Sequence, residues 1–386
     1  MAPESDENYL TTAEVARRLR VKTSTVYAYV SRGQLTSVQA LGRRGSLFAA
    51  ADVERLANRR IDHPGAIERI ESELSLLRDD ALYYRGYPAR ELATTQTFES
   101  VAELLWTGEL HPGQAFVGSP ELVKLARTAI AVAPDTARKT DQLRIAVAML
   151  GAADPLRFDL STSSVLETAR GLLSVLVDAL PGPTVGGGLA ERLWPKLSAA
   201  PPRPDVLNAA LVLLADHGLA ASTVAARVAA SARANLYSVV SAGLGALDGH
   251  YHGAATTLAY QFLQQVLENP VGALSDQLRS GKPVPGFGHR IYQRKDPRAG
   301  ALMSLFAEEP VMEQIYAVIA KVRGFPNSDY AVAAMMHTFD FHPDAGEALF
   351  AIARIAGWTG HALEEYAAPG LRFRALGVYT GREGDL

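Results

Sequence analysis

The sequence predicts a mainly α-helical protein with a small basic head and a larger acidic body, and three observations carry that prediction. Beyond residue 66 apolar residues recur at helical spacing, strand-like alternation is scarce, and turns are marked by His111-Pro112-Gly113, Pro181-Gly182-Pro183 and Pro201-Pro202. The net charge of -3 hides an asymmetry: residues 1–60 hold ten Lys or Arg against six Asp or Glu, while the remainder holds 28 against 35. At 386 residues, with 48% hydrophobic and 20% charged residues, the chain exceeds one ordinary domain and has enough apolar surface for a sizeable core. A small module in front of a two-lobed body is the expectation.

Composition also excludes. The chain has no cysteine, so disulfides, thiolate metal sites and cysteine nucleophiles are ruled out. The first ten residues, MAPESDENYL, are acidic and polar, the reverse of a secretory signal, and the expected location is cytoplasmic. The Ala-rich stretch near 208–230 is broken by Asp216, His217 and Arg227, so no membrane span is expected.

The head begins with Leu10-Thr-Thr-Ala-Glu-Val-Ala-Arg-Arg-Leu. Thr12 is placed to cap a helix carrying Val15, Ala16 and Leu19, and Thr23 or Ser24 to cap a second carrying Val26 and Val30. Gly33 suits the end of that helix, Gly42-Arg43-Arg44-Gly45 reads as a basic turn between two short strands, and Ala51 to Leu56 resumes helical spacing. The pattern resembles the small winged helix-turn-helix domains of the excisionase and MerR type. That resemblance implies DNA contact through residues 10–60, with Lys22 to Arg32 in a major groove and Arg43 and Arg44 on phosphates. A mixed-charge linker, Asn58 to Gly65, follows; its His63 has no evident task.

In the body, four segments place polar residues where a helical bundle calls for apolar ones: Leu214-Ala-Asp-His-Gly, Gly249-His-Tyr-His-Gly-Ala-Ala, Pro285 to Arg298, and Pro326-Asn-Ser-Asp-Tyr. His217, His252 and His289 each sit beside glycine, which lets a backbone approach a ligand, and imidazole exchanges protons near neutrality. An acid, several imidazoles and several arginines suit proton abstraction next to a carbonyl on a carboxylate-bearing substrate. His250 and His252, two apart with no strong carboxylate partner, are a weak metal pattern, and no metal is expected.

The motifs go further. Tyr84-Arg-Gly-Tyr-Pro, Phe98-Glu-Ser-Val-Ala-Glu-Leu-Leu-Trp-Thr-Gly, Asp216-His217, His252-Gly-Ala, Gly286-Phe-Gly-His-Arg-Ile-Tyr with Asp296-Pro-Arg, Asn327-Ser-Asp-Tyr and Ala351-Ile-Ala-Arg-Ile-Ala-Gly-Trp occur in one order. Together they resemble the citrate synthase family over residues 80–381. The resemblance implies a two-domain helical fold: a large domain from 66–252 and 341–386, a small domain at 253–340, and a head at 1–60. It implies a homodimer that condenses acetyl-CoA or propionyl-CoA with oxaloacetate, giving citrate or 2-methylcitrate and CoA. No cofactor would be bound permanently. Asp329 would be the base, His252 would stabilise the enol and His289 would polarise the ketone. His217, Arg298 and Arg354 would bind oxaloacetate, and Arg372 would be contributed across the dimer interface, its planar fork pairing with a carboxylate. Arg290, Arg294 and Lys295 are available for CoA phosphates. His250 and His361 are read as bystanders.

The chain also departs from the family pattern. Thr256 and Thr257 stand where an amide and a carboxylate are usual, Ala220 where an Asn is usual, and Phe373 interrupts Arg372 and Arg374 in place of proline. The head and these changes leave a second reading open: a DNA-binding regulator whose body senses CoA esters or oxo acids.

Overall fold

The computed structural model describes residues 9–19, 21–31, 35–39, 46–50, 52–53, 70–249 and 252–373. The chain divides into two compact units, with boundaries between Ile70 and Glu71 and between Leu371 and Arg372.

In the first unit, strand β1 (Tyr9–Thr11) leads into helix α1 (Thr12–Arg18), then helix α2 (Thr23–Ser31) and strands β2 (Ser37–Gln39) and β3 (Ser46–Ala49). The cap of α1 is Thr11 rather than Thr12. Its side chain accepts from the Glu14 amide while Glu14 accepts from the Thr11 amide, a capping box that needs Glu three residues on; Thr12 has Val15 there. Thr23 likewise opens α2 from inside it. The two short strands expected around the basic turn are β2 and β3, and β1 adds a third, giving the antiparallel order β1-β3-β2. Val15, Ala16, Leu19, Val26, Leu35, Phe48 and Val53 form the core of this unit. Gly33, Gly42 to Gly45, Glu54 to Leu56, the linker with His63, and likewise His250 and Arg374, lie outside the described residues.

The second unit opens with an antiparallel meander where helix was expected: β4 (Ser75–Arg78), β5 (Ala81–Tyr84) and β6 (Tyr87–Pro88). Its two-residue turns carry positive φ at both positions, Asp79 and Asp80 (55° and 54°) and Arg85 and Gly86 (47° and 88°), the geometry that matches strand twist. Strands of four residues or fewer are too short for alternation to register in sequence.

Helices follow: α3 (Ala89–Thr95), α4 (Phe98–Thr107), α5 (Pro120–Ala131), α6 (Lys139–Ala153), α7 (Thr162–Ala179), α8 (Leu189–Leu197), α9 (Pro204–Leu214), α10 (Ala221–Ser231) and α11 (Leu236–Leu247). Then come α12 (Ala254–Glu268), α13 (Pro270–Ser280), α14 (Pro297–Met303), α15 (Val311–Ile319), α16 (Ser328–Thr338) and α17 (Ala345–Ala367). Helix α17 is buried on every side from Ala345 to Ala362, including the polar Glu347, Arg354, Thr359 and His361. Helices α4, α7, α9, α10 and α11 surround it. Packing there is close enough to require glycine: a Cβ at Gly243 would meet the Trp358 ring at 2.6 Å. Helices α12 and α16 pack together, with α14 against α16. Among the described residues no helix is long and apolar enough to cross a membrane.

Candidate active site

The polar segments singled out in the sequence converge within the second unit. The loop before α14 is laced to the segment before α16: Gly288 N donates to Phe325 O (2.8 Å), Asn327 N to Gly286 O (2.9 Å) and Asn327 Nδ2 to Gly288 O (3.0 Å). Gly286 has φ +80°, and a Cβ there would meet the Tyr330 Cβ at 2.8 Å, so the close approach of loop and helix requires glycine. Asn327 caps α16, accepting from the amides of Asp329 and Tyr330 at 3.0 and 3.2 Å.

Asp296 ties this frame together. Its two oxygens accept from Arg298 Nε (3.0 Å) and Nη2 (2.7 Å), a buried bidentate pair, and also from the amides of Arg298 and Ser328, both at 3.0 Å. Burial disfavours its charge, but the Arg298 guanidinium and these donors outweigh it and hold the carboxyl below its usual range.

The His289 and His217 rings lie 5.1 Å apart, edge to face, and Tyr292 joins both, its hydroxyl 2.9 Å from His217 Nε2. His289 Nδ1 accepts from the Ile291 amide at 3.0 Å, so in the neutral ring the proton resides on Nε2. Burial, then Arg298, lowers its pKa; His217 is pushed well below 6.5 by burial and by Arg298 and Arg354. Both rings are therefore neutral at pH 7.

His252 Nε2 lies 2.7 Å from Ser222 Oγ, and burial followed by Arg354 pushes its pKa down to about 4. The His252 ring and the Arg354 guanidinium both pack on Phe350, at 5.7 and 4.7 Å. Arg354 is buried; Nε donates to Leu214 O at 3.0 Å, Nη1 has no partner, and no carboxylate among the described residues pairs with it. Asp329, part-buried at the second position of α16, accepts from Thr256 Oγ1 at 2.8 Å. Desolvation raises its pKa above the ordinary 3.8 against the pull of Thr256 and Arg298.

Beneath His217 runs a second buried layer that the sequence reading did not anticipate. Asp216 Oδ2 accepts from Ser75 Oγ (2.5 Å), and Oδ1 lies 3.2 Å from His361 Nε2. His361 Nδ1 lies 2.6 Å from Arg227 Nη1, which only donates, so in the neutral ring Nδ1 accepts and Nε2 gives its proton to Asp216; against burial, the carboxylates of Asp216 and Glu364 raise the His361 pKa. Arg227 also pairs with Glu364 and Glu365, both at 2.6 Å. His361 thus joins α17 to the strand carrying Ser75 and is no bystander to the architecture.

Of the remaining candidates, Arg294 is exposed and its Nε lies 3.3 Å from the Asp80 carboxylate, which also accepts from the Gln293 and Arg294 amides. Arg290 is exposed, and Lys295 borders a cleft of about 560 Å³ also lined by Tyr83, Arg90, Asp296, Arg298 and Phe325. Arg372 lies beyond the unit boundary, its guanidinium 5.4 Å from the Phe373 ring centroid. Ser222, Tyr292, Asp296 and Asn327 were missed as contributors, although the Asn-Ser-Asp capping pattern was a usable signal for the last. Among the described residues no three His, Asp or Glu side chains are grouped to hold a metal.

The second layer predicts acid sensitivity. Burial alone would raise the Glu364 pKa, but His361 first, then Arg227 and the Glu73 amide, bring it down to about 2. A depressed acid stabilises the fold above its unfolded pKa of 4.5, and that contribution, about 3 kcal/mol, is lost as pH falls through about 2. Melting temperatures of the wild type should fall steeply from pH 4.5 downward, and Glu364→Gln should start lower at pH 7 with a flatter acid arm. Parallel arms for the two proteins would refute this assignment.

Residues 66–374 match the family model described as citrate synthase, C-terminal domain, and residues 9–61 match a helix-turn-helix domain. A citrate synthase of Mycolicibacterium smegmatis is 30% identical over 339 residues, 78% of this chain and 90% of the relative. A 2-methylcitrate synthase of Mycobacterium tuberculosis is 30% identical over 338 residues, 79% of this chain and 86% of the relative. Among solved structures, citrate synthase from Thermotoga maritima superposes with a TM-score of 0.67 at 24% identity, covering 84% of this chain and 96% of that one. That from Thermoplasma acidophilum, a ternary complex with carboxymethyl coenzyme A and oxaloacetate, gives 0.68 at 23%, covering 83% and 96%. With its body matched throughout and a helix-turn-helix domain in front of it, the chain belongs to the citrate synthase family.

Proposed function

We propose that the chain condenses acetyl-CoA or propionyl-CoA with oxaloacetate, giving citrate or 2-methylcitrate and free CoA. The observation that carries this reading is Arg354, a buried guanidinium that no carboxylate among the described residues pairs with, beside three neutral imidazoles. Burying a lone cation is costly, and an anionic ligand that completes the pair offsets the cost. Arg298 and His217, at the same cluster, supply further donors for a substrate with two carboxylates.

The chemistry follows from the protonation states. Asp329, with its raised pKa, removes a proton from the carbon next to the thioester, and a base nearer the working pH transfers protons more efficiently. His252 is neutral; in the tautomer that accepts from Ser222 at Nε2, its Nδ1–H is left to hydrogen-bond the thioester oxygen as it becomes enolic. His289 Nε2–H donates to the ketone oxygen of the oxo acid and polarises it. The enol carbon attacks that ketone carbon, forming a C–C bond and a hydroxyl; water then cleaves the thioester and releases CoA. CoA enters as substrate and leaves as product, not as a resident cofactor. Arg290 and Lys295 are the better candidates for its phosphates, since Arg294 is engaged by Asp80.

This reading includes closure of a smaller domain, 253–340, over the larger one, a homodimer in which Arg372 serves the neighbouring site, and a cytoplasmic location. A pure sensor would need the arginines but not a carboxyl held ready as a base, which weighs against that alternative.

Purified protein given oxaloacetate and acetyl-CoA or propionyl-CoA should release CoA thiol only when both substrates are present. Asp329→Ala should lower the rate at least about a hundredfold while oxaloacetate binding persists, because the base acts on the other substrate. Undiminished release by the variant would remove Asp329 from the mechanism.

The head supports a second role, binding duplex DNA. On α2, Thr23, Ser24, Tyr27 and Ser31 form an exposed face, with Tyr27 58% exposed, preceded by exposed Lys22. Fluorescence anisotropy with duplex DNA should show affinity that falls steeply with salt and weakens in Lys22→Ala. Absence of any salt-dependent binding would leave the head without a nucleic-acid role.

A further inference from the structure

Thr256, one of the residues that depart from the family pattern, contacts the proposed base directly. It is fully buried in the first turn of α12, and its Oγ1 donates to Asp329 Oδ1 at 2.8 Å. A helical threonine hydroxyl commonly turns back on the carbonyl three or four residues earlier; here it is committed across the helix pair to α16. Its methyl explains the choice of rotamer. Gly346, in α17, lies so close that a Cβ there would sit 2.5 Å from Thr256 Cγ2 and 2.8 Å from the Met336 sulfur. The methyl fills the hollow the glycine leaves and aims the hydroxyl at Asp329.

The next residue is anchored too. Thr257 Oγ1 donates to Glu347 Oε1 at 2.6 Å, Glu347 Oε2 accepts from Arg138 at 3.1 Å, and Arg138 reaches Asp248 at 2.6 Å. Asp248 caps α11 just before the His252 loop. The start of α12 is therefore fixed at two successive residues, on both sides of that loop.

We infer that Thr256 is the positioning residue for Asp329, holding Oδ1 by its hydroxyl and leaving Oδ2, which no donor among the described residues engages, to take the substrate proton. The inference rests on the condensation proposed above. A hydrogen bond to the ionised carboxyl favours ionisation, so losing it displaces titration of the base to higher pH. The other charged groups that Asp329 senses, Arg298 and Asp296 at α14 and Arg354 on α17, are untouched by changes at Thr256.

The test compares Thr256→Val, which keeps the shape and removes the hydroxyl, with Thr256→Ser, which keeps the hydroxyl and removes the methyl. In Thr256→Val the acid limb of the kcat–pH profile should move up by about one unit, and kcat at neutral pH should fall about tenfold. Its KM for oxaloacetate should stay within about twofold, since that substrate is held elsewhere, and Thr256→Ser should keep kcat within about threefold of wild type. Far-UV circular dichroism and oxaloacetate binding establish that each variant is folded. A wild-type pH profile in folded Thr256→Val, or equal impairment of the two variants, would overturn the inference. A wild type that releases no CoA with either acyl donor would instead overturn the condensation itself and this inference with it.

Discussion

One buried carboxylate organises the site. Asp296 accepts four hydrogen bonds, two from the Arg298 guanidinium and two from backbone amides that open different helices. It therefore fixes the start of α14, the orientation of a buried arginine and the start of α16, where Asp329 resides. Removing it would leave Arg298 unpaired and the Ser328 amide unsatisfied, the circumstance in which a buried pair matters most. The loop bearing His289 depends on the same frame, because its glycines are pinned to the segment that leads into α16.

Within this frame burial separates the groups by protonation state. The imidazoles of His217, His252 and His289 are driven neutral, while the Asp329 carboxyl is raised towards the range where it can exchange a proton. Two guanidiniums lie among them: Arg298, paired with Asp296, and Arg354, paired with no carboxylate among the described residues. A positive, largely buried cluster with neutral N–H donors suits a dianionic oxo acid whose ketone needs polarising. Asp329, the proposed base, sits on a helix and is held from a second helix, so its aim is set by packing rather than by a loop.

Much of this was legible in the sequence, for a physical reason. His217, His252, His289, Asp329 and Arg298 interrupt apolar periodicity, and the glycines beside three of them mark close backbone approach, whereas Arg354 stood out only through the resemblance of its motif to the family. The helical class of the body followed from the same periodicity. What escaped were features decided by contacts distant in sequence. Ser222 meets His252 across 30 positions, Thr256 meets Asp329 across 73, and His361 reaches Asp216 across 145, and no local pattern encodes any of them. Arg294 looked available because Asp80, 214 positions earlier, is brought to it only by the β4–β5 turn. That meander was itself hidden, since its strands are too short to alternate visibly.

The account turns on Arg354: a charge buried with no carboxylate paired to it among the described residues reduces the stability of the empty protein in exchange for affinity. Arg354→Met, of similar length and apolar, separates those two quantities, read by thermal melting without ligand and by calorimetric titration with oxaloacetate. The account predicts a variant at least as stable as wild type, by up to about 3 kcal/mol, whose affinity for oxaloacetate drops about a hundredfold or more. A variant that is less stable yet binds oxaloacetate as tightly as wild type would show that Arg354 belongs to the core and not to the substrate.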